Sequence, residues 1–182
     1  RAGLALAHSQ GHSPRPKINL AAALPVGFRS DCELADLWLT RPQPLDEIKA
    51  RMRATAPSGL TIREVTGVEL GGKTLQSRLR AIEYLVAFPF ELDLTVQVRA
   101  LLAAAALPRE RRGRHYDLRP LVECLQANQD GTIGMRLAAR PNATGRPDEV
   151  LLALGIDPLA ARIRRVRLLL DADRPSDSNW VG

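Results

Sequence analysis

The sequence predicts an α+β fold of two tandem ferredoxin-like units, each an antiparallel sheet with helices on one face. Two observations predict this class. Alternating and helical hydrophobic patterns recur in the same order in both halves of the 182-residue chain. That order, βαββαβ, is the split βαβ arrangement. We expect the first unit to lack its opening strand and helix, because Arg1-Ala2-Gly3 has the pattern of a helix end, with a basic last turn and a glycine cap.

The expected boundaries follow from turn residues and composition. We predict a truncated first unit over 1–76, a second unit over 77–171, and a disordered tail over 172–182. Gly71-Gly72 marks the turn that precedes the second unit. The tail is rich in Asp, Pro, Ser and Asn, a composition that cannot bury enough apolar surface to fold.

The first half opens with a loop at His8–Pro16, where glycine and proline prevent regular structure. Two strands then alternate polar and apolar residues and form a hairpin, a helix carries Leu45, Ile48 and Met52 at helical spacing, and another strand follows. The predicted elements are strands 17–24 and 33–40, helix 45–56 and strand 60–65.

The second half repeats this order. Leu94, Val98 and Leu101 recur on one helical face, and Pro147 with Gly155 marks the ends of a second helix. The predicted elements are strand 81–88, helix 92–106, an extended stretch 114–126 broken near Pro120, strand 132–138, helix 147–154 and strand 163–170.

The charge is strongly basic. The net charge is +6 and the pI about 10.1. Two groups concentrate it: Arg109, Arg111, Arg112, Arg114 and Arg119, and then Arg162, Arg164, Arg165 and Arg167. Such groups either form a solvated surface or attract a polyanion without sequence preference, so no specificity for DNA is predicted.

Several function classes find no support in the sequence. No apolar run approaches the ~20 residues of a membrane helix, so we expect a cytoplasmic protein without membrane contact. Cys32 and Cys124 are too far apart for a recognisable disulfide framework or metal site. His8 and His12 have the spacing of helical zinc ligands, but the prolines around them prevent a helix. We therefore expect no cofactor and no metal, and no catalytic residue is assigned.

The candidate binding loop combines rigidity with charge. Pro14 and Pro16 stiffen the backbone around Arg15 and Lys17. Small residues nearby leave backbone N–H groups accessible, as in anion-binding loops. The candidate binding residues are Ser9, Gly11, His12, Arg15, Lys17 and, from the first arginine group, Arg119. The alternative is a strand-entry loop with incidental charge.

Five ordered motifs resemble a known family over about residues 1–170. They are Ser9-Gln10-Gly11-His12-Ser13-Pro14-Arg15-Pro16-Lys17-Ile18, Ala23-Leu24-Pro25-Val26-Gly27, Ile82-Glu83-Tyr84, Asp117-Leu118-Arg119-Pro120-Leu121, and Arg146-Pro147-Asp148-Glu149-Val150. In these the chain is similar to the radical-SAM-associated domain of unknown function, a bacterial family.

The resemblance implies a radical SAM enzyme, fused or separate, as the partner. It carries over no catalytic residue, because none is established for the domain. The chain lacks the three-cysteine signature of an iron–sulfur cluster, so it is not the radical SAM catalyst itself.

Three functions stay open at this point. The first is an accessory or substrate-binding module whose substrate is RNA, by analogy with other basic ferredoxin-like sheets. The second is a stand-alone RNA-processing or RNA-modifying enzyme, which would need a His or Asp in a cleft. The third is a protein-binding module, which an exposed apolar patch would favour.

We predict that the double substitution Arg15→Ala, Lys17→Ala weakens RNA binding at every sequence tested. If each side chain neutralises one phosphate, the salt slope falls by roughly 0.7 per lost contact on a single strand. Titration of labelled RNA at several salt concentrations, with a thermal melt for folding, measures both. The arginines from Arg162 to Arg167 provide the control group. An unchanged slope in the folded double variant would make this loop a structural one.

Overall fold

The structure, a computed structural model, describes residues 2–111 and 113–171. These residues form a mixed α+β fold with mainly antiparallel sheets and few helices, which confirms the predicted α+β class. The predicted disordered tail, 172–182, lies outside the described residues. In chain order the elements are β1 (Ile18–Leu20), β2 (Arg29–Ser30), β3 (Ala35–Leu37), α1 (Leu45–Thr55), α2 (Leu75–Arg78), β4 (Leu79–Ala87), α3 (Thr95–Ala103), β5 (Pro108–Arg111), β6 (Arg114–Asp117), β7 (Val122–Ala127), β8 (Ile133–Arg140), β9 (Ala143–Thr144), α4 (Pro147–Ala153) and β10 (Arg162–Leu170).

Contacts between residues divide the chain into two units. The first comprises Arg1–Leu20 and Ala35–Thr74, and the second comprises Ala21–Leu34 and Leu75–Gly182. This division is discontinuous, whereas the sequence analysis expected one boundary between residues 76 and 77. The segment between the first two predicted strands therefore belongs, by its contacts, with the second unit.

The first unit is built around a small antiparallel sheet. β1 pairs with β3, with Ile18 opposite Leu37, which confirms the predicted hairpin although both strands are shorter than expected. Isolated bridges from Leu6 to Leu39 and from His8 to Pro16 extend the pairing. α1 carries acidic residues in its first turn and Arg53 in its last, a distribution that complements the helix dipole.

The strand predicted over 60–65 is wrong. The described backbone there pairs with no other strand. Instead, the Arg53 side chain donates hydrogen bonds to the carbonyl oxygens of Ile62 at 2.9 Å and Arg63 at 3.4 Å. Alternating residues favour an extended backbone, but a strand also needs a neighbouring strand to satisfy its backbone groups. The described part of the first unit therefore lacks the closing strand that a ferredoxin-like unit requires.

The second unit carries the main sheet, with strands in the order β2-β10-β4-β8-β7 and β9 paired to β8. Neighbouring strands are antiparallel except for β2, which runs parallel to β10. Along the chain the elements β4, α3, β7, β8, α4 and β10 follow the predicted order, and the helix expected over 92–106 is shorter than predicted. Gly131, with φ of 78°, turns the chain between β7 and β8, as expected for the Asp-Gly pair.

The stretch predicted as extended over 114–126 is divided. β6 ends at Asp117, a short 3₁₀ turn spans Arg119–Leu121, and β7 follows. β6 pairs with β5 in a separate two-stranded sheet, which we call the arginine ribbon (Pro108–Asp117). β5 was not predicted, because a four-residue strand of polar residues has no hydrophobic alternation to reveal it.

The core lies on the side of the main sheet that the helices cover. Strand residues such as Met135 and Leu137 pack there with Val98 and Leu101 of α3 and Val150 of α4. Complete burial of such side chains stabilises the fold by about 1.5–3 kcal/mol each.

The opposite face of the main sheet is also buried at its centre. Ala81 and Ala138, which face each other across β4 and β8, are 2% and 0% exposed. Beside them the Arg136 guanidinium donates two hydrogen bonds to Glu83 Oε1, at 2.8 and 2.6 Å. This face therefore offers no open platform for stacking bases.

Arg165 on β10 connects the sheet to the segment 21–34. Its side chain is almost fully buried, and the residue is 1% exposed. The guanidinium donates to the Ala22 and Ala23 carbonyl oxygens at 3.3 and 2.9 Å and to both Glu33 oxygens at 2.8 and 2.9 Å. One side chain thus holds both ends of a loop, which a hydrogen bond from Ala21 N–H to the Leu34 carbonyl oxygen closes.

We predict that Arg165→Met lowers the free energy of unfolding by about 2–3 kcal/mol, because it removes the charge-assisted hydrogen bonds from the buried guanidinium to the Ala22 and Ala23 carbonyl oxygens and to Glu33. The matched control is Arg164→Met on the same strand. Arg164 is half-exposed and paired with Asp31 at 3.3 Å, so its loss should cost no more than about 1 kcal/mol. Urea denaturation measures both variants. Equal effects of the two substitutions would contradict the anchoring role of Arg165.

Candidate polyanion-binding site

The second arginine group of the sequence is largely used within the fold. Arg164 pairs with Asp31, Arg165 is buried against Glu33, and Arg167 lies opposite Glu83 in the strand register. Arg162, at the start of β10, is exposed. Substituting the whole group would therefore remove the structural Arg165, and Arg162 alone is a suitable charge control.

Arg119, a predicted binding residue, also contacts the protein itself. Its Nε and Nη2 atoms donate to the Leu102 carbonyl oxygen at 3.2 and 2.9 Å, and Nη1 donates to the Val122 carbonyl oxygen at 3.1 Å. Leu102 lies in the last turn of α3, where carbonyl groups have no partner within the helix. Arg119 therefore caps α3 and joins it to the start of β7, which reduces its capacity to bind a ligand.

The other five predicted residues lie together on one loop of the first unit. Ser9 N–H donates to the Arg15 carbonyl oxygen at 2.8 Å, and Arg15 N–H donates to Ser9 Oγ at 3.0 Å. The side chains of His12, Arg15 and Lys17 are exposed, and Gly11 has a positive φ of 143°. These two hydrogen bonds close the loop. The Ser9 N–H, which was expected to be accessible to an anion, is therefore already bonded within the loop.

The two faces of the arginine ribbon differ in charge. Its register places Arg109 opposite Tyr116 and Arg111 opposite Arg114. Because side chains alternate across a strand, these four share one face, which we call the arginine face. Glu110 and its partner His115 lie on the other. Among the described residues, none of the three arginines has an ion-pair partner within 4.0 Å.

The base of the ribbon is held by Asp117. Its Oδ1 accepts hydrogen bonds from the backbone N–H groups of Leu107 at 2.7 Å and Arg119 at 2.9 Å. These bonds hold the pKa of the Asp117 carboxyl below its usual range. Leu118, the next residue, is fully buried in the core. The bonds of Asp117 and the burial of Leu118 therefore fix the end of the ribbon, formed by β5 and β6, that lies nearest the core.

Tyr116 attaches the ribbon to α4. Its hydroxyl donates a short hydrogen bond to Glu149 Oε2, in the first turn of that helix. Burial and this bond to a carboxylate raise the pKa of Tyr116, while the positive charges of Arg111 and Arg109 act in the opposite direction. The positive charges of Arg109 and Arg111 therefore favour the ionised form of Tyr116, the same side chain that donates its hydrogen bond to Glu149. No described residue donates a hydrogen bond to the other oxygen, Glu149 Oε1.

The described residues contain no group of three or more His, Cys, Asp or Glu side chains suited to a metal ion. Cys32 and Cys124 are half-buried free thiols, and burial raises the pKa of Cys32. Among the described helices, none is long and apolar enough to cross a membrane.

Sequence reasoning missed Tyr116 and Glu149, and it did not separate the arginines of the first group by role. One signal was available. Arg-Glu-Arg (109–111) and Arg-His-Tyr (114–116) stand on either side of the pair Arg112-Gly113, so alternation about a glycine-containing turn predicts a hairpin with arginines on one face. Gly113 has a φ of 73°. The contact between Tyr116 and Glu149 spans 33 residues and has no such local signal.

We predict that neither tyrosine of the folded protein ionises near the usual pKa of about 10. The chain has two tyrosines, and burial raises the pKa of Tyr84 as well as that of Tyr116. Both raised values stabilise the folded state below pH 10, and this contribution is lost as the pH rises from 10 towards the folded-state pKa values. Phenolate absorbance during a pH titration tests this, with protein unfolded in guanidinium as the control. A native midpoint near 10 for both groups would contradict the burial of Tyr84 and the Tyr116–Glu149 bond.

In the comparison with known proteins, no curated protein and no solved structure matches the chain. Residues 1–147 match a family described as uncharacterised proteins conserved in bacteria (DUF2344). The match covers most of the chain, including β5, β6 and the first residue of α4. The chain belongs to this bacterial family of uncharacterised proteins.

Proposed function

We propose that this chain is an accessory, substrate-binding module that binds RNA through the arginine face of its ribbon. One observation carries the proposal: Arg109, Arg111 and Arg114 share one face of a two-stranded ribbon, and no described residue forms an ion pair with them. Arg119, Arg164 and Arg165, from the two sequence groups, contact carboxylates or carbonyl oxygens elsewhere in the fold, and Arg162 is exposed. Arg109 also donates a hydrogen bond to a carbonyl oxygen, that of its neighbour Pro108, at 2.8 Å, but it has no carboxylate partner among the described residues.

The spacing of these charges suits a phosphate backbone. Successive side chains on one face of a strand lie roughly 6.5–7 Å apart, which is close to the distance between consecutive phosphates of a single strand. Guanidinium groups bind phosphate oxygens bidentately, so they give more than a diffuse positive field. Arg109 and Arg111 are half-buried, which limits the freedom that their side chains lose on binding.

The mode of binding differs from that of most RNA-binding sheets. Those sheets stack bases on exposed aromatic side chains. Here the helix-free face is buried at Ala81 and Ala138, and the chain is 4% aromatic. Backbone contacts by arginines, without sequence preference, fit this composition better.

At the level of fold, we propose that the second unit is a ferredoxin-like unit. The support is its spatial strand order β10-β4-β8-β7, in which all neighbours are antiparallel, with α3 and α4 as the two crossover helices. This is the order expected when βαββαβ closes into one sheet. A tandem arrangement is proposed only on the sequence pattern of the first half.

The proposed partner is a radical SAM enzyme, and the support is the resemblance of the sequence motifs. An accessory module also needs a surface for its partner. The Leu24-Pro25-Val26-Gly27 turn offers an exposed apolar tip, with Val26 fully exposed. Its base is held by the bonds of Arg165 to Ala22 and Ala23, and Gly27, with φ of 87°, makes the turn. This tip is the observation that favours the protein-binding function as a second candidate.

We predict that the triple substitution Arg109→Gln, Arg111→Gln, Arg114→Gln weakens binding of a single-stranded RNA at least roughly tenfold at about 0.1 M salt, and lowers the salt slope by about 2. Fluorescence titrations of labelled RNA across salt concentrations measure both quantities. Circular dichroism confirms that the variant is folded.

The matched control removes the same charge elsewhere. Arg29, Arg99 and Arg162 are exposed and make no ion pair with a described residue, and their triple glutamine variant has the same net charge. We expect it to retain most of the affinity and slope. If both triple variants lose equal affinity, binding depends on net charge and the ribbon is not the site.

A further inference from the structure

We infer that Glu149 makes the arginine ribbon selective for RNA over DNA, by accepting a hydrogen bond from a ribose 2′-hydroxyl next to a bound phosphate. This inference rests on the proposed function, because it concerns the ligand of the same site. It assigns a role to a carboxylate that binding of a polyanion alone does not explain.

The carboxylate lies beside the arginine face without neutralising it. Tyr116, on the same face as the three arginines, donates its hydroxyl proton to Glu149 Oε2. Arg109 and Arg111 act on the Tyr116 phenol, yet neither forms an ion pair with Glu149 within 4.0 Å. The arginines therefore stay available for phosphate, and the orientation of the carboxylate is determined by the tyrosine.

Glu149 Oε1 is left as an acceptor. Among the described residues, none donates to it, and it is not among the buried polar atoms without a partner, so solvent or a ligand reaches it. An ionised carboxylate accepts hydrogen bonds and cannot donate one. The matching ligand group is thus a hydroxyl or an N–H donor.

The position of the acceptor selects between these donors. A negative charge beside a phosphate site weakens phosphate binding. The bond from Tyr116 that attaches the ribbon to α4 uses only Glu149 Oε2, so it gives no role to Oε1. A compensating donor must lie close to the phosphate that the arginines hold. In a nucleic acid that donor is the 2′-hydroxyl, on the sugar that carries the phosphate, whereas the base N–H groups lie farther from the backbone. The 2′-hydroxyl is also the group by which proteins distinguish RNA from DNA.

The experiment compares three oligonucleotides of one sequence: RNA, its 2′-deoxy form with uracil retained, and its 2′-O-methyl form. The last keeps the sugar geometry of RNA but cannot donate. We expect the wild-type chain to bind RNA roughly tenfold more tightly than the other two, since a hydrogen bond to a charged acceptor is among the stronger ones.

Glu149→Ala should bring the three affinities together. Glu149→Gln should also lose the preference for RNA over its 2′-O-methyl form, because an amide has a single oxygen: while that oxygen accepts from Tyr116, the NH2 group occupies the position of Oε1 and cannot accept from a 2′-hydroxyl. The matched control is Glu110→Ala, on the other face of the same ribbon. It removes the same charge, so it should strengthen binding of all three ligands without changing their ratio. Thermal melts establish that each variant is folded.

Three outcomes overturn the inference alone. They are equal binding of the three oligonucleotides by the wild-type chain, a preference for RNA that persists in Glu149→Ala, and a loss of preference in Glu110→Ala as large as in Glu149→Ala. If the wild-type chain binds none of the three, the proposed function fails and this inference fails with it.

Discussion

The buried guanidinium of Arg165 is the interaction on which the second unit depends most. A charge with 1% exposure is stable only if its donors are used, and here two backbone carbonyl groups and the Glu33 carboxylate accept from it. The strand register places Arg165 opposite the buried Tyr84, so its long side chain lies on the core side, and the register of β10 shifts after it, between Arg165 and Arg167. Arg165 Nε has no partner among the described residues, so the pairing is incomplete. The segment 21–34 thus joins the sheet edge through polar contacts that apolar packing at Phe28 supplements.

Two other arginine side chains satisfy backbone carbonyl groups at or beyond the ends of regular structure. Arg53 donates to carbonyl oxygens of an unpaired segment, and Arg119 donates to the last turn of α3. A guanidinium suits these positions because it presents five donors in a planar fork. In a chain with few aromatic residues, long arginine stems also cover apolar surface. The net charge of +6 therefore overstates the charge available for ligands.

This explains which parts of the molecule the sequence predicted. Most strands and helices of the second unit were predicted because their buried residues recur with the period of a strand or a helix, as Ile133, Met135 and Leu137 do in β8. The strand over 60–65 failed because alternation does not supply a neighbouring strand. The loop Ser9–Lys17 was expected to be irregular and charged; its charged side chains are exposed, and its role in binding stays a prediction. The sequence could not show that Arg165 and Arg119 contact the protein itself whereas Arg109 and Arg111 have no ion-pair partner among the described residues. Their partners lie far away along the chain, up to 132 positions for Arg165 and Glu33.

The two charged surfaces differ in how they would hold an anion. On the loop of the first unit, the backbone is closed by hydrogen bonds, but Arg15 and Lys17 extend into solvent and lose side-chain entropy when they bind. On the ribbon, Asp117 holds the base and the Tyr116–Glu149 bond holds one edge, while Arg109 and Arg111 are partly packed. Preorganised donors lose less freedom on binding, so equal numbers of charges give tighter and more oriented contacts. The ribbon therefore suits positioning a substrate, whereas the loop suits attracting one.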